Sequence, residues 1–212
     1  MNNIDALYHT CNTIGEFAKG YTDYVLSVLR STDFTVLEKI EFQFEEARAA
    51  GRTIFIAGNG GSATTASSMA NDLGFDIIKK SQTELPLRVL SLTDNNSVMT
   101  AIANDVGYEN LFVNQLKIHF REGDKLLVIS ASGNSLNLVK AVEWVKSKGG
   151  TAIALLGFDG GKLKQLCDLS LHINTLAGEY GPVEDAHLMV NHIFAHWFQL
   201  RFKKIETQPR IS

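Results

Sequence analysis

Two stretches of the chain place glycine, serine and asparagine between an apolar run and a helical run. In the first, IFIA at 54–57 leads into Gly58-Asn59-Gly60-Gly61-Ser62 and then ATTASSMANDL. In the second, LLVIS at 126–130 leads into Ala131-Ser132-Gly133-Asn134-Ser135 and then LNLVKAV. A strand, a glycine turn and a helix start together make an anion site. Glycine lets backbone N–H groups approach an oxyanion, and the helix dipole adds partial positive charge. The hydroxyls of Ser130, Ser132 and Ser135 add donors, a set that suits a phosphate monoester without Arg or Lys. One such turn alone is as readily an ordinary strand–helix connection; two with matching chemistry favour phosphate. Two other phosphate motifs are excluded. No G-x-x-x-x-G-K-[ST] occurs, and GNGGSA has the wrong spacing for the dinucleotide fingerprint G-x-G-x-x-G.

Both turns need a sheet to hold them. Apolar runs at 53–57, 87–92, 125–130, 151–156 and 169–173 read as strands, with helical stretches at 62–73, 96–120 and 135–148. Strands apolar on both faces and separated by helices predict a parallel sheet covered on both sides. Ligands of such sheets bind beyond the carboxyl ends of the strands, where both turns would lie. Residues 4–50 read as helices. Val36, Leu37, Ile40, Phe44 and Ala47 recur near the 3.6-residue period, and Gly51 is placed to cap the run. PVEDAHLMVNHIFAHWFQLRFKK reads as a long last helix opening with Pro182 and acids. The tail IETQPRIS is polar, expected to be loose or docked on a neighbour. No low-complexity linker divides the chain. It reads as one domain over 1–212, with N-terminal helices at 1–50 and the α/β core with the last helix at 51–205.

The 212 residues are 45% hydrophobic and 20% charged, an ordinary globular balance with room for a sizeable core. A net charge of −3 argues against a nucleic-acid surface. Cys11 and Cys167 make no disulfide framework and read as buried small hydrophobes in a reducing compartment. The start MNNIDALYHT lacks a signal-peptide pattern, and no apolar run reaches the length of a membrane span. The expectation is a cytoplasmic protein with neither membrane nor nucleic acid as partner.

AGNGGSA, TAIANDVGYENLF, REGDKLLVISASGNS and GFDGGKL, in that order, resemble the sugar isomerase (SIS) domain family, and more narrowly its phosphoheptose isomerases. The chain resembles more distantly the DnaA initiator-associating protein, which keeps the fold but serves as a binding protein. The resemblance implies a three-layer α/β/α sandwich with a five-stranded parallel sheet and an N-terminal helical extension. It implies a homotetramer with active sites between subunits, and aldose–ketose isomerisation of sedoheptulose 7-phosphate or a related sugar phosphate. The alternative is a non-catalytic SIS protein that binds a sugar phosphate or a protein partner.

Carried over by position, the resemblance assigns substrate contacts to Asn59, Gly60, Gly61 and Ser62, to Asn104 and Asp105, and to Ser130, Ala131, Ser132 and Ser135. Ala131 stands where many relatives have Thr. Read without the family, Asn104-Asp105 is a turn or cap before VGYENLF. The family also implies a zinc or other divalent ion held between two helices. Its His and Glu on the first fall here on Ser68 and Asp72, and its Gln and His on the last fall on Glu184 and His192. Asp72, Glu184 and His192 are therefore the expected catalytic and metal-binding set, with Glu184 also a substrate contact. Asp72 or Glu184 would be the base, and His192 an acid or ligand. His187, three residues after Glu184, is a weaker metal candidate. His196, beside Phe194, Trp197 and Phe198, is expected to pack.

Overall fold

Alternate residues of each central strand face opposite sides, and here both sides are apolar. Ile54 and Ile56 enter one hydrophobic layer while Phe55 and Ala57 enter the other. Leu127 and Ile129 are divided from Leu126 and Val128 in the same way. Such strands demand cover on both faces, and helices supply it. The computed structural model describes residues 1–207; the last five residues of the tail, and the expectation made for them, lie outside that range. The strands are β1 (Thr53–Gly58), β2 (Arg88–Ser91), β3 (Lys125–Ser130), β4 (Thr151–Leu156) and β5 (Leu169–His172). All pair in parallel, in the order β2-β1-β3-β4-β5. The order reverses between β1 and β3, so the ligand crevice of this topology opens between the two glycine turns.

In chain order the helices are α1 (Asn3–Thr10), α2 (Ile14–Ser31), α3 (Val36–Ala49), α4 (Gly61–Leu73), α5 (Phe75–Ser81), α6 (Asn96–Val106), α7 (Leu111–His119), α8 (Leu136–Ser147), α9 (Leu163–Leu166) and α10 (Tyr180–Thr207). One layer holds residues of α2 to α5 and α10, centred on Phe44, Phe194, Phe198 and Phe202; the other holds α7, α8 and α9, with Phe55, Phe112 and Phe120. The three-layer sandwich and helical N-terminus agree with the sequence.

Three details differ. The helix expected over 96–120 is broken at Gly107, whose φ of +94° no L side chain adopts comfortably, and a 3-10 turn over Tyr108–Asn110 intervenes. A short α5 follows Gly74, where the sequence pattern is too brief to show a period. Helix α10 starts two residues before Pro182, a first-turn position where the missing N–H has no helical partner to lose.

The N-terminal helices are fastened to the start of α10 and the residue before it by polar contacts. Glu179, 1% exposed, accepts from the Tyr24 hydroxyl at 2.5 Å, the Asn3 amide at 2.6 Å and the Leu176 amide at 3.1 Å. Nearby, the Tyr21 hydroxyl donates to Asp185 at 2.6 Å. Among the described residues, no helix is long and apolar enough to cross a membrane.

Candidate active site

The first glycine turn is held from the side. Asn59 and Asn137, on the first turn of α8, exchange two amide hydrogen bonds, Asn59 Nδ2 to Asn137 Oδ1 at 3.0 Å and Asn137 Nδ2 to Asn59 Oδ1 at 2.9 Å. Tyr108 donates its hydroxyl to Asn59 Oδ1 at 2.9 Å. The first glycine turn is thereby braced to the start of α8, which follows the second. Gly60 holds φ +54° with open space around it, and no side chain caps α4 behind it. The first N–H groups of that helix therefore donate to no capping side chain.

In the second turn, Ser130 Oγ accepts from the Gly133 amide at 3.0 Å and Ser132 Oγ accepts from the Asn134 amide at 3.3 Å. Those two bonds curl the loop and leave each hydroxyl proton available to donate. Ser135 stands at the start of α8 without capping it by its side chain. Ala131 is buried beneath. A third loop supports this one from behind. Gly133, at φ +64°, leaves no room for a methyl group against the Gly160 carbonyl. Asn134 Oδ1 accepts from the Lys162 amide at 3.0 Å. The DGG at 159–161 therefore shapes the second glycine turn from behind. Ser62 is buried under the first turn, against Gly58.

Asn104 and Asp105 lie in the last turn of α6, exposed and bonded to each other at 2.7 Å. Tyr108, three residues beyond Asp105, is the one that reaches the first turn.

Helices α4 and α10 run side by side in the same direction. At one end the Glu184 carboxylate fills the space where a Gly61 side chain would stand. Burial, and secondarily repulsion from Asp185, raises its pKa. At the other end Asp72 Oδ2 lies 4.0 Å from His192 Nε2 and accepts from Asn191 Nδ2 at 2.6 Å. The expected convergence of Asp72, Glu184 and His192 is therefore not met within one protomer. Eight residues separate Glu184 from His192, which is ~12 Å of helix at 1.5 Å per residue. Zinc takes four ligands in structural sites and three protein ligands in catalytic ones. This end supplies a carboxylate and an imidazole. Among the described residues, no three His, Cys, Asp or Glu side chains are grouped to hold a metal.

His187 faces the core with no exposed surface, and burial lowers its pKa to about 4. Its burial in the core, not its pKa, keeps it from the end where Asp72 and His192 meet. His196 is exposed rather than packed; it lines an apolar groove with Trp197 and Leu200. Asn137, Tyr108 and Asn191 were missed by sequence reasoning. The one signal for Asn137 was an amide between Leu136 and Leu138 at a helix start. Asn191 likewise interrupts an apolar row.

The family model described as "SIS domain" matches residues 19–157. The chain is 38% identical over 159 residues, 74% of this chain and 77% of the relative, to a phosphoheptose isomerase of Aneurinibacillus thermoaerophilus. Its fold is similar to the solved phosphoheptose isomerase of Neisseria gonorrhoeae, with a TM-score of 0.76 at 26% identity over 88% of this chain and 98% of that one. A phosphoheptose isomerase of Francisella tularensis matches in fold with a TM-score of 0.74 at 20% identity, over 94% of this chain and all (100%) of that one.

Proposed function

The chain belongs to the SIS domain family, and on that premise we propose that it is an aldose–ketose isomerase interconverting sedoheptulose 7-phosphate, or a related ketose phosphate, with the aldose phosphate. The observation that carries this reading is the pair of glycine turns on adjacent parallel strands, braced by Asn59 and Asn137 and each opening a helix. The phosphate binds at Ser132, Ser135 and the start of α8, and supplies remote binding energy that orients the reacting end. Asn59, Gly60 and Gly61 line the sugar path, with Asn104 and Asp105 at its exposed edge.

The reaction moves a proton between C1 and C2. A base takes the C1 proton of the ketose while an acid protonates the C2 carbonyl oxygen, giving an enediol. The proton is then returned to C2 as the C1 hydroxyl gives up its own, leaving the aldehyde. Asp72 or Glu184 serves as base and His192 as acid. A zinc or other divalent ion would have Asp72 and His192 as ligands and would polarise the two oxygens. The third expected donor, Glu184, lies ~12 Å away along α10.

Distance supports a shared site. Eleven residues of α4 from Gly61 to Asp72 span ~16 Å. A seven-carbon chain reaches about 10 Å from C1 to phosphorus at bonds of ~1.5 Å. A sugar whose reacting end lies at Gly61 therefore meets Glu184 within its own protomer, ~16 Å along α4 from Asp72 and its neighbour His192, and a partner protomer would bring a second Asp72–His192 pair to it. Exposed Ile193, Trp197 and Leu200 along α10 supply apolar surface for such an assembly, read here as a homotetramer in the cytoplasm.

The test is incubation with sedoheptulose 7-phosphate in D2O, with and without added divalent ions, resolving products by NMR. The expected result is aldose 7-phosphate carrying deuterium at C2. No turnover of any C5–C7 ketose phosphate in either condition would refute the reaction and leave the binding role. A stable monomer by sedimentation equilibrium at micromolar concentration would refute the shared site.

A further inference from the structure

Helix α10 buries a row of side chains against the sheet, including Val190, Phe194 and Phe198. Asn191 sits among them with no exposed surface. Its Oδ1 is buried with no hydrogen-bond partner. Its Nδ2 donates to Asp72 Oδ2 at 2.6 Å. A buried amide with one end unpaired costs stability, and an apolar side chain of similar shape would avoid that cost. The chain nevertheless places an amide here, and the amide's one hydrogen bond goes to a candidate catalytic carboxylate.

The geometry around that carboxylate is specific. Asp72 Oδ1 accepts from Asn71 Nδ2 at 3.0 Å, a contact made on its own helix. Oδ2 is engaged from the other side, by Asn191 at 2.6 Å and with His192 Nε2 4.0 Å away. Consecutive residues of α10 thus flank one oxygen. An Asp side chain has two torsions, and without a tie across to α10 it is free to turn toward solvent. The bond to Asn191 holds the carboxylate over α10, beside the imidazole with which it must share the proton transfers.

We propose that Asn191 is a positioning residue for the isomerase reaction: it fixes the Asp72 carboxylate in the orientation that pairs it with His192. The inference rests on the isomerase reading. It predicts that Asn191 affects turnover rather than substrate affinity, because the amide touches Asp72 and not the anion loops. It also predicts that the residue is not kept for stability.

The test compares wild type, Asn191→Leu, Asn191→Asp, Asp72→Asn and the double variant Asp72→Asn/Asn191→Leu. Each is assayed on sedoheptulose 7-phosphate for kcat and KM and melted in parallel. Asn191→Leu is expected to lower kcat at least tenfold with KM within twofold and no fall in melting temperature. In the Asp72→Asn background, adding Asn191→Leu is expected to change kcat less than twofold. Asn191→Asp is isosteric and sets a second carboxylate against Asp72, so a loss of kcat is expected there even should Asn191→Leu fold poorly. An active wild type whose Asn191→Leu and Asn191→Asp variants keep its kcat overturns this role alone. Loss of kcat in proportion to loss of folded protein, additive with Asp72→Asn, overturns it in favour of a structural role. A wild type inert on every ketose phosphate overturns the reaction and this role with it.

Discussion

Replacing Asn137 by alanine tests whether the two anion loops act as one unit. Asn137 is 2% exposed, and its side chain makes both halves of the reciprocal amide pair with Asn59. Alanine keeps the helix propensity of α8 high. The Leu138 amide keeps a partner, because it donates to the Ser135 carbonyl as well as to Asn137 Oδ1. What is lost is two neutral hydrogen bonds at ~1 kcal/mol each, so about 2 kcal/mol of stability. For a chain of 212 residues that is a fall of ~4–8 °C in melting temperature at fixed protein concentration. Asn59→Ala removes the same two bonds together with the one from Tyr108. The double variant Asn59→Ala/Asn137→Ala is then expected to cost about 2 kcal/mol less than the sum of the singles. Guanidinium unfolding measured on all four proteins gives the coupling directly. Sugar phosphate affinity should fall in Asn137→Ala as well, although the residue lies beneath the cradle. Losses that add to within about 0.5 kcal/mol would refute the brace.

Other consequences are equally direct. Ser132→Ala or Ser135→Ala should weaken sugar phosphate binding by about 1–3 kcal/mol while leaving an unphosphorylated sugar unaffected; calorimetry showing equal losses would place the phosphate elsewhere. Gly133→Ala should destabilise by more than about 1 kcal/mol, since φ is +64° and the methyl collides with the Gly160 carbonyl; a native-like melting curve would contradict that packing. Burial lowers the His187 pKa from 6.5 to about 4, so the unfolded chain binds the extra proton between those values. Stability should therefore fall as pH drops through that window, and His187→Leu should flatten that part of the stability–pH curve. Cys11 and Cys167 are half-buried rather than buried as their type suggested; burial still pushes the Cys167 thiol up to about 12, so at pH 8 it should react with alkylating reagents more slowly in the native protein than in denaturant.

The strands and both glycine turns were legible in the sequence because their causes are local. Short, continuous apolar runs separated by helical stretches, two of them followed by Gly-Asn-Gly-Gly or Ser-Gly-Asn-Ser, point to buried parallel strands ending in tight turns at helix starts. The observed β1, β3 and β4 begin where those runs predict. The break at Gly107 was not legible, because a glycine inside a helical period is tolerated as often as it terminates. Only the φ of +94° and the 3-10 turn after it bring Tyr108 to Asn59.

The sequence by itself determined the order of strands and helices and the two glycine turns, and its family resemblance singled out Asp72, Glu184 and His192 on two helices as candidates. It left open which of them meet, because the distance between side chains on different helices depends on how the helices dock. The tertiary structure decided that α4 and α10 run in the same direction, which sets Glu184 against Gly61 and Asp72 against Asn191 and His192. A rise of ~1.5 Å per residue then keeps the two ends apart within one protomer, however well they share a helix face. Asn191 interrupts an apolar row, but residue type and spacing do not say what its amide meets. Its role follows from burial and from the one carboxylate within its reach, and both come into being only when the helices pack.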